Sequence, residues 1–336
     1  MKGTTLQKKT TTMPKRISWK KGMRLTDEVL IQADRCTSES FAQAYVLAAE
    51  GRFGLFPSVR PFQLALNVEQ GAVNVESLDC LGITRAGDII DVRFDTKFTN
   101  TFNTRVQIPD QEGAKEFILV VNADPDLWKD TNEGLLVPDY SFSFVGAKQA
   151  VPDHALPIAR IVYNDGWTED NVFFVPPCLT VSSHPKFMEL CQQFLGVLQA
   201  IDEKSRQQSD TLAKTAISVY WPVVIQTLIE VNNEREALTP MRLMSCVQRI
   251  IGIFTCACDV DEVLSLEEAE PFRNFARVPY NYRQAYLRLK QGIGMCSAIS
   301  DKIDKFSQLR ETQPVAPPPR QEPPKEDRRR WNGPNI

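Results

Sequence analysis

The 336-residue sequence predicts an α+β multidomain protein: an N-terminal antiparallel β-sandwich, then an α-helical bundle, with disordered termini. Three observations predict this. From Phe62 to about Ser183 apolar and polar residues alternate, which is the period of half-buried strands. Directly after Ser182-Ser183-His184-Pro185 the apolar spacing changes to three and four, the period of a helix. Both ends lack the apolar content that a core needs. The boundaries that follow are a disordered basic arm over 1–16, a β-sandwich over 17–183, a helical bundle over 184–310 and a Pro-rich tail over 311–336.

Within the first domain, Phe62, Leu64, Leu66 and Val68 alternate with polar or small residues, as do Tyr140, Phe142 and Phe144 with Ser141 and Ser143. Further short strands are expected at 73–75, 89–94, 106–108, 117–121, 158–163, 172–175 and 179–181. Turn residues separate them, among them Gly71, Gly87-Asp88, Pro109-Asp110, Asp124-Pro125-Asp126 and Asn164-Asp165-Gly166. Many short strands with no helical pattern between them read as a sandwich or jelly-roll-like fold.

Pro185 after a serine marks a helix start, because the proline's missing N–H costs nothing in the first turn. Phe187, Leu190, Cys191, Phe194, Leu198 and Ile201 then share one helical face. A second helix is expected over 210–232, with a kink or break at Pro222. A third starts at Thr239-Pro240, and 259–281 reads as a long connection. The fourth, over 282–309, carries the stripe Tyr286, Leu289, Ile293, Cys296, Ile299, Ile303 and Phe306. Such spacing is the seam of a bundle or coiled coil. Buried, the stripe would contribute roughly 10–20 kcal/mol gross, at about 1.5–3 kcal/mol per large side chain, so it requires partners.

The net charge of −3 is a cancellation. Residues 1–24 carry eight Lys or Arg and no acid, while residues 25–310 carry 26 basic and 38 acidic side chains. An acidic body is a poor duplex-binding surface, since phosphate neutralisation dominates nucleic-acid affinity. No apolar run approaches the roughly 20 residues of a bilayer span. The N-terminus lacks a secretory signal's apolar segment. The eight cysteines are scattered with no Cys-x-x-Cys pair. Reduced thiols and a cytoplasmic location are expected.

Chemistry is sparse. Only His154 and His184 are present, and most acid–base and metal sites use histidine. Cys178 and His184 lie six apart, but flanking apolar residues read as packing rather than as an activated thiolate. Cys256 and Cys258 precede two aspartates without a second ligand pair, so zinc is not expected. Gly292 and Gly294 sit inside a helical stripe, where close helix packing replaces any phosphate loop. Carboxylate pairs such as Asp88 with Asp91 read as surface chemistry. Catalytic, cofactor-binding and metal residues are therefore expected to be none. The basic arm, interleaved with Ile17, Trp19 and Met23, reads either as a solvated lead-in to a first strand or as a docking segment for an acidic protein.

Three stretches resemble a known family. Trp19-Lys20-Lys21-Gly22-Met23-Arg24-Leu25 resembles the opening of the type VI secretion baseplate subunit TssK. Leu156-Pro157-Ile158-Ala159-Arg160-Ile161 and Phe174-Val175-Pro176-Pro177-Cys178-Leu179 resemble two of its strands, in the same order and ahead of the same switch to helix. The resemblance covers about residues 17–310. It implies a non-enzymatic homotrimer whose shell contacts TssF-like and TssG-like wedge proteins, whose helical neck trimerises, and whose baseplate lies against the inner face of the cell envelope.

It further implies Trp19, Gly22, Met23 and Leu25 as partner-facing residues, and the stripe from Tyr286 to Phe306 as neck packing. The stripe alone does not decide between another protomer and the same chain. Two features depart from the family. Thr26-Asp27-Glu28-Val29-Leu30 stands where a His-Phe-Gln-type stretch is usual, and the Pro-rich tail stands where a folded head is usual. Docking to the membrane complex through such a head does not carry over. The tail's Arg328-Arg329-Arg330-Trp331 reads as solvated, with a linear motif toward membrane-complex proteins as the alternative. Neither nucleic acid nor direct membrane insertion is expected. Rival readings are a phage-type tail-fibre adaptor or receptor-binding protein and, in another class, a β-sandwich hydrolase.

Overall fold

The computed structural model describes residues 20–311, apart from 50, 58–59, 70, 96–103, 111–112, 114, 131–135, 208–213 and 262–264. The basic arm over 1–16, Trp19 and the Pro-rich tail lie outside the described residues.

The first described element is a helix, α1 (Asp27–Ala49), where the sequence suggested a lead-in to a strand. Asp27 and Glu28 in its first turn suit the positive end of the helix dipole. Its packed side is made of small residues, with Cys36 and Ala49 buried, so no apolar stripe announces it.

Among the described residues nine strands follow: β1 (Gly54–Leu55), β2 (Gln63–Glu69), β3 (Ala72–Ile83), β4 (Ile89–Asp95), β5 (Arg105–Gln107), β6 (Glu116–Asp130), β7 (Leu136–Gly146), β8 (Ala155–Tyr163) and β9 (Trp167–Glu169). β3 is the spine of a five-stranded antiparallel sheet, pairing with β1, β2, β4 and β5. The second sheet runs β7-β6-β8-β9, also antiparallel. The sheets share one core: Phe94 meets Phe142 at 6.0 Å between ring centroids, and the Tyr140 hydroxyl accepts from the Asp91 backbone N–H at 3.2 Å. The turn between β3 and β4 is pinned to the loop before β8, where His154 Nδ1 lies 2.8 Å from Asp88 Oδ2 and Ala86 N–H donates to Asp153 O.

Three strand expectations need correction. Asp124-Pro125-Asp126 is no turn: β6 continues through it, absorbing the irregularity as a register shift between Ala123 and Trp128. Residues 172–175 and 179–181 are not strands. Pro176 and Pro177 offer no N–H to a ladder, so this segment makes only one isolated parallel bridge, Cys178 to Leu55, before a 3-10 turn at Val181–Ser183. Pro157, by contrast, is accommodated inside β8. The register against β6 shifts between Leu119 and Val120 beside it, and β9 pairs only with residues 161–163, so no partner there needs its N–H.

The helices are α2 (Pro185–Gln207), α3 (Lys214–Asn233), α4 (Pro240–Asp261), α5 (Leu266–Ala276) and α6 (Ala285–Glu311). Pro222 lies inside α3, which runs continuously through it. α5 occupies part of the expected connection over 259–281. It has a capping box: Ser265 Oγ accepts from Glu268 N–H at 3.2 Å, and Glu268 Oε2 accepts from Ser265 N–H at 3.2 Å. Gly292 of α6 is a close-packing position, because a β-carbon there would stand 2.5 Å from Phe275 Cζ and 2.6 Å from Val247 Cγ1. Most buried apolar side chains described form one contiguous cluster running from both sheets into the helices, and Ile118, Val120, Val145, Val151, Ala155 and Phe174 form a second, smaller one.

Candidate partner interface

The segment expected to face a partner begins as a tight turn. Met23 N–H donates to Lys20 O at 3.0 Å, and Gly22 takes φ +83°, a conformation that suits glycine. Met23 is exposed and Leu25 is 62% exposed, large values for apolar side chains. Gly22, Met23 and Leu25 are thus brought together at the surface beside the first turn of α1. Glu28 in that turn has its carboxyl held below the usual range, first by a hydrogen bond from the Thr26 side chain and then by its own backbone N–H. α1 adds Leu30, Ile31, Phe41 and Leu47, all exposed. The helix approaches the first sheet closely at Ala42 and Gly87, where a β-carbon on Gly87 would meet the Ala42 backbone at 2.8 Å.

The predicted stripe is gathered elsewhere. Leu289, Ile293, Cys296, Ile299 and Ile303 are buried, and α6 packs against α2 and α4 of the same chain. Tyr286 is half-buried, with its ring 6.2 Å from that of Phe187 on α2. The Phe306 side chain lies outside the described residues. These side chains therefore fill the chain's own bundle.

The junction of sheets and helices was not anticipated. Tyr282 packs edge-on against Phe53 at 5.1 Å, and the Arg85 guanidinium lies over both rings, 4.4 Å from Phe53 and 5.5 Å from Tyr282. Arg283 donates to the carbonyls of Ala147 and Gln149. No spacing in the sequence links these positions, and the aromatic end of 259–281 was read as part of a long connection.

The thiols are placed for packing. Cys178 is buried and donates to Pro176 O at 3.3 Å, and burial pushes its pKa well up. Burial likewise raises Cys80 to about 12 and Cys246 to about 12. His184 stacks near Phe62 at 6.1 Å, and its Nδ1 accepts from Lys186 N–H at 3.2 Å. Burial first, and Lys186 second, lower its pKa to about 4, so the ring is neutral. Among the described residues no group of three or more His, Cys, Asp or Glu could hold a metal, and no helix is long and apolar enough to cross a membrane. Seven described cysteines are free thiols, while the Cys258 side chain lies outside the described residues.

No protein-family model and no curated protein matches the chain. Solved structures do. TssK from the type VI secretion system (T6SS) of EAEC, in complex with a nanobody, aligns with a TM-score of 0.55 at 14% identity, over 81% of this chain and 68% of that one. A crystal structure of TssK aligns at 0.57 and 13% identity, over 85% and 69%. TssK in the cryo-electron microscopy structure of the type VI TssK-TssF-TssG baseplate subcomplex aligns at 0.56 and 14% identity, over 88% of this chain and all of that one. The chain is TssK-like in fold. The antiparallel sheets followed by helices, read from the sequence, are the architecture it shares with TssK. At these identities the TssK likeness concerns the backbone path, and residue roles must come from this chain's own chemistry.

Proposed function

We propose that the chain is a structural baseplate subunit of a contractile, type VI-like secretion system. In this reading it is a homotrimeric adaptor that joins wedge proteins to the membrane-side machinery and catalyses no reaction. The observation that carries the reading is the alignment with TssK in the TssK-TssF-TssG subcomplex, which extends over all of that TssK chain. The described site chemistry supports it. The thiols at Cys80, Cys178 and Cys246 are held protonated by burial, and His184 is half-buried and neutral, so these groups serve packing.

The partners would be TssF-like and TssG-like wedge proteins. Gly22, Met23 and Leu25 beside α1, with Trp19 before them, would supply the contact. The Pro-rich tail would reach membrane-complex proteins, and the assembly would sit at the cytoplasmic face of the envelope. Two sequence blocks correspond to shell (17–183) and neck (184–310).

Deletion of residues 1–24 tests the contact. The truncated chain should keep its oligomeric mass and lose co-purification with the wedge proteins of its own genome. Co-purification that survives the deletion would remove the partner-facing role from this segment.

A further inference from the structure

The outward face of α3 carries an apolar hollow that, among the described residues, is lined by that helix alone. From Thr215 to Ile229 the sequence contains no charged residue. Tyr220, Val224, Thr227 and Val231 are buried on the side toward the other helices. Trp221, Pro222, Ile225, Gln226 and Ile229 wall an open depression of about 440 Å³. Ile229 is 51% exposed. Trp221 is fixed in place by its indole N–H, which donates to Asp202 Oδ1 at 2.7 Å. Just beyond the hollow, Glu230 is occupied by Arg242 and Arg249, at 3.0 and 2.8 Å.

We propose that this hollow seats the proline pair Pro323-Pro324 of the chain's own Pro-rich tail. Chemistry is the first argument. A fixed indole beside Pro222 and two isoleucines is the kind of apolar groove that takes a proline-rich segment, whose φ angles are already set before it docks. Both the pair and the hollow are uncharged. Reach is the second. α3 and α6 lie diagonally across the bundle, since each packs against α2 and α4. α6 passes the level of Trp221 near Ser300, whose carbonyl accepts from Lys204 Nζ at 3.0 Å, and Lys204 lies one helical step beyond Asp202 on α2. From Ser300 to Glu311 α6 runs on for about 16 Å. The tail must therefore return roughly 16 Å along the axis and cross two helix spacings, roughly 20 Å. From Glu311, a polyproline-type chain covers about 19 Å to Pro317 and about 37 Å to Pro323. Pro323 is thus the first member of the later proline group that spans the path. Charge is the third. Residues 312–336 carry five basic and three acidic side chains, whereas residues 25–310 carry 26 basic and 38 acidic, so the tail is drawn toward the body. The inference is independent of the secretion-system reading, because Arg328-Arg329-Arg330-Trp331 follows the docked pair and is not engaged by it.

Trypsin cleavage of the full-length protein, followed by mass spectrometry, tests this. Cleavage after Arg320 and Lys325 should be at least about tenfold slower in the unaltered protein than in Ile229→Asp or in the double variant Pro323→Ala, Pro324→Ala. That factor is what a tethered contact of about 0.1 mM gives at a millimolar effective concentration. Cleavage after Arg329 should be equally fast in all three. The proline variant leaves every bundle residue intact, so it decides the matter should the aspartate disturb folding. In a Cys256→Ser, Cys258→Ser background, Gln226→Cys with Gln321→Cys should be joined by a short bis-maleimide within one chain, at single-chain mass. Equal cleavage after Arg320 in the unaltered protein and the proline variant would overturn the assignment. So would a cross-link formed only between chains, which would give the hollow to a second copy.

Discussion

Leu55 and Cys178 pair side by side as a parallel bridge, and through them the first sheet grips the strap that leads into the helices. Leu55 N–H donates to Pro177 O at 2.8 Å, and Leu55 O accepts from Leu179 N–H at 3.0 Å. The strap approaches so closely that Gly54, at φ +137°, has no room for a side chain. A β-carbon there would stand 2.3 Å from Pro177 O and 2.6 Å from Cys178 N. Gly54→Ala therefore combines backbone strain with a clash that backbone atoms cannot relieve, and should cost at least about 3 kcal/mol. Chemical denaturation measures it; a loss under about 1 kcal/mol would mean that the strap is loosely held.

Two glycines of α6, two residues apart and so on different sides of the helix, should respond with opposite signs. Gly292→Ala pushes against Phe275 and Val247, an overpacking cost of about 1–3 kcal/mol that exceeds the roughly 1 kcal/mol gained in helix propensity. Gly294 has nothing within 4 Å of the position of its missing β-carbon, so Gly294→Ala should stabilise by about 0.5–1 kcal/mol. Midpoints of thermal unfolding for the pair check this, and equal shifts would contradict the packing of α5 against α6.

His184 makes stability depend on pH. Its pKa falls from 6.5 to about 4 on folding, chiefly through burial. Between those values the unfolded chain binds the proton more readily. The contribution is therefore fully present above pH 6.5 and is lost as pH falls toward 4, up to about 3 kcal/mol. His184→Asn keeps an acceptor for Lys186 N–H and cannot titrate, so its denaturation midpoint should fall less over this window. Parallel pH profiles for the two proteins would refute the assignment.

Arg160 and Asp170 form a nearly buried ion pair, each side chain 11% exposed. Arg160→Ala leaves the Asp170 carboxylate buried and uncompensated, which should cost about 3–5 kcal/mol. Arg160→Met with Asp170→Asn removes both charges and should recover much of that loss. Denaturant titrations of Arg160→Met, Asp170→Asn and their double close the cycle. Additive losses would show that the pair is uncoupled.

The switch from sheet to helix was legible because Pro185 and the stripe from Phe187 to Ile201 change the apolar period within a few residues. α1 was not, because it packs through Cys36 and small neighbours rather than large apolar side chains. Phe174 to Val181 imitates strand alternation, yet Pro176 and Pro177 remove the donors a ladder needs. α5 announced itself through Ser265 and Glu268, a capping signal masked by the acidic run around it. On α6 the pattern told which side chains are buried but not by what, since periodicity carries no information about which chain supplies the neighbour. α3 is apolar on both sides, so the exposure of Ile229 emerges only once α2 and α4 have taken the opposite face. Gly22, Met23 and Leu25, which we propose as partner-facing, are surface residues, while the exposed apolar side chains of α1 beside them depended on a helix the pattern hides.

The central claim is that this chain works by assembly. Native mass spectrometry of the chain co-expressed with the wedge proteins of its own genome tests that most directly. The account predicts a complex containing three copies of the 38.0 kDa chain together with wedge subunits. A spectrum holding only single chains, free of wedge protein, would contradict it.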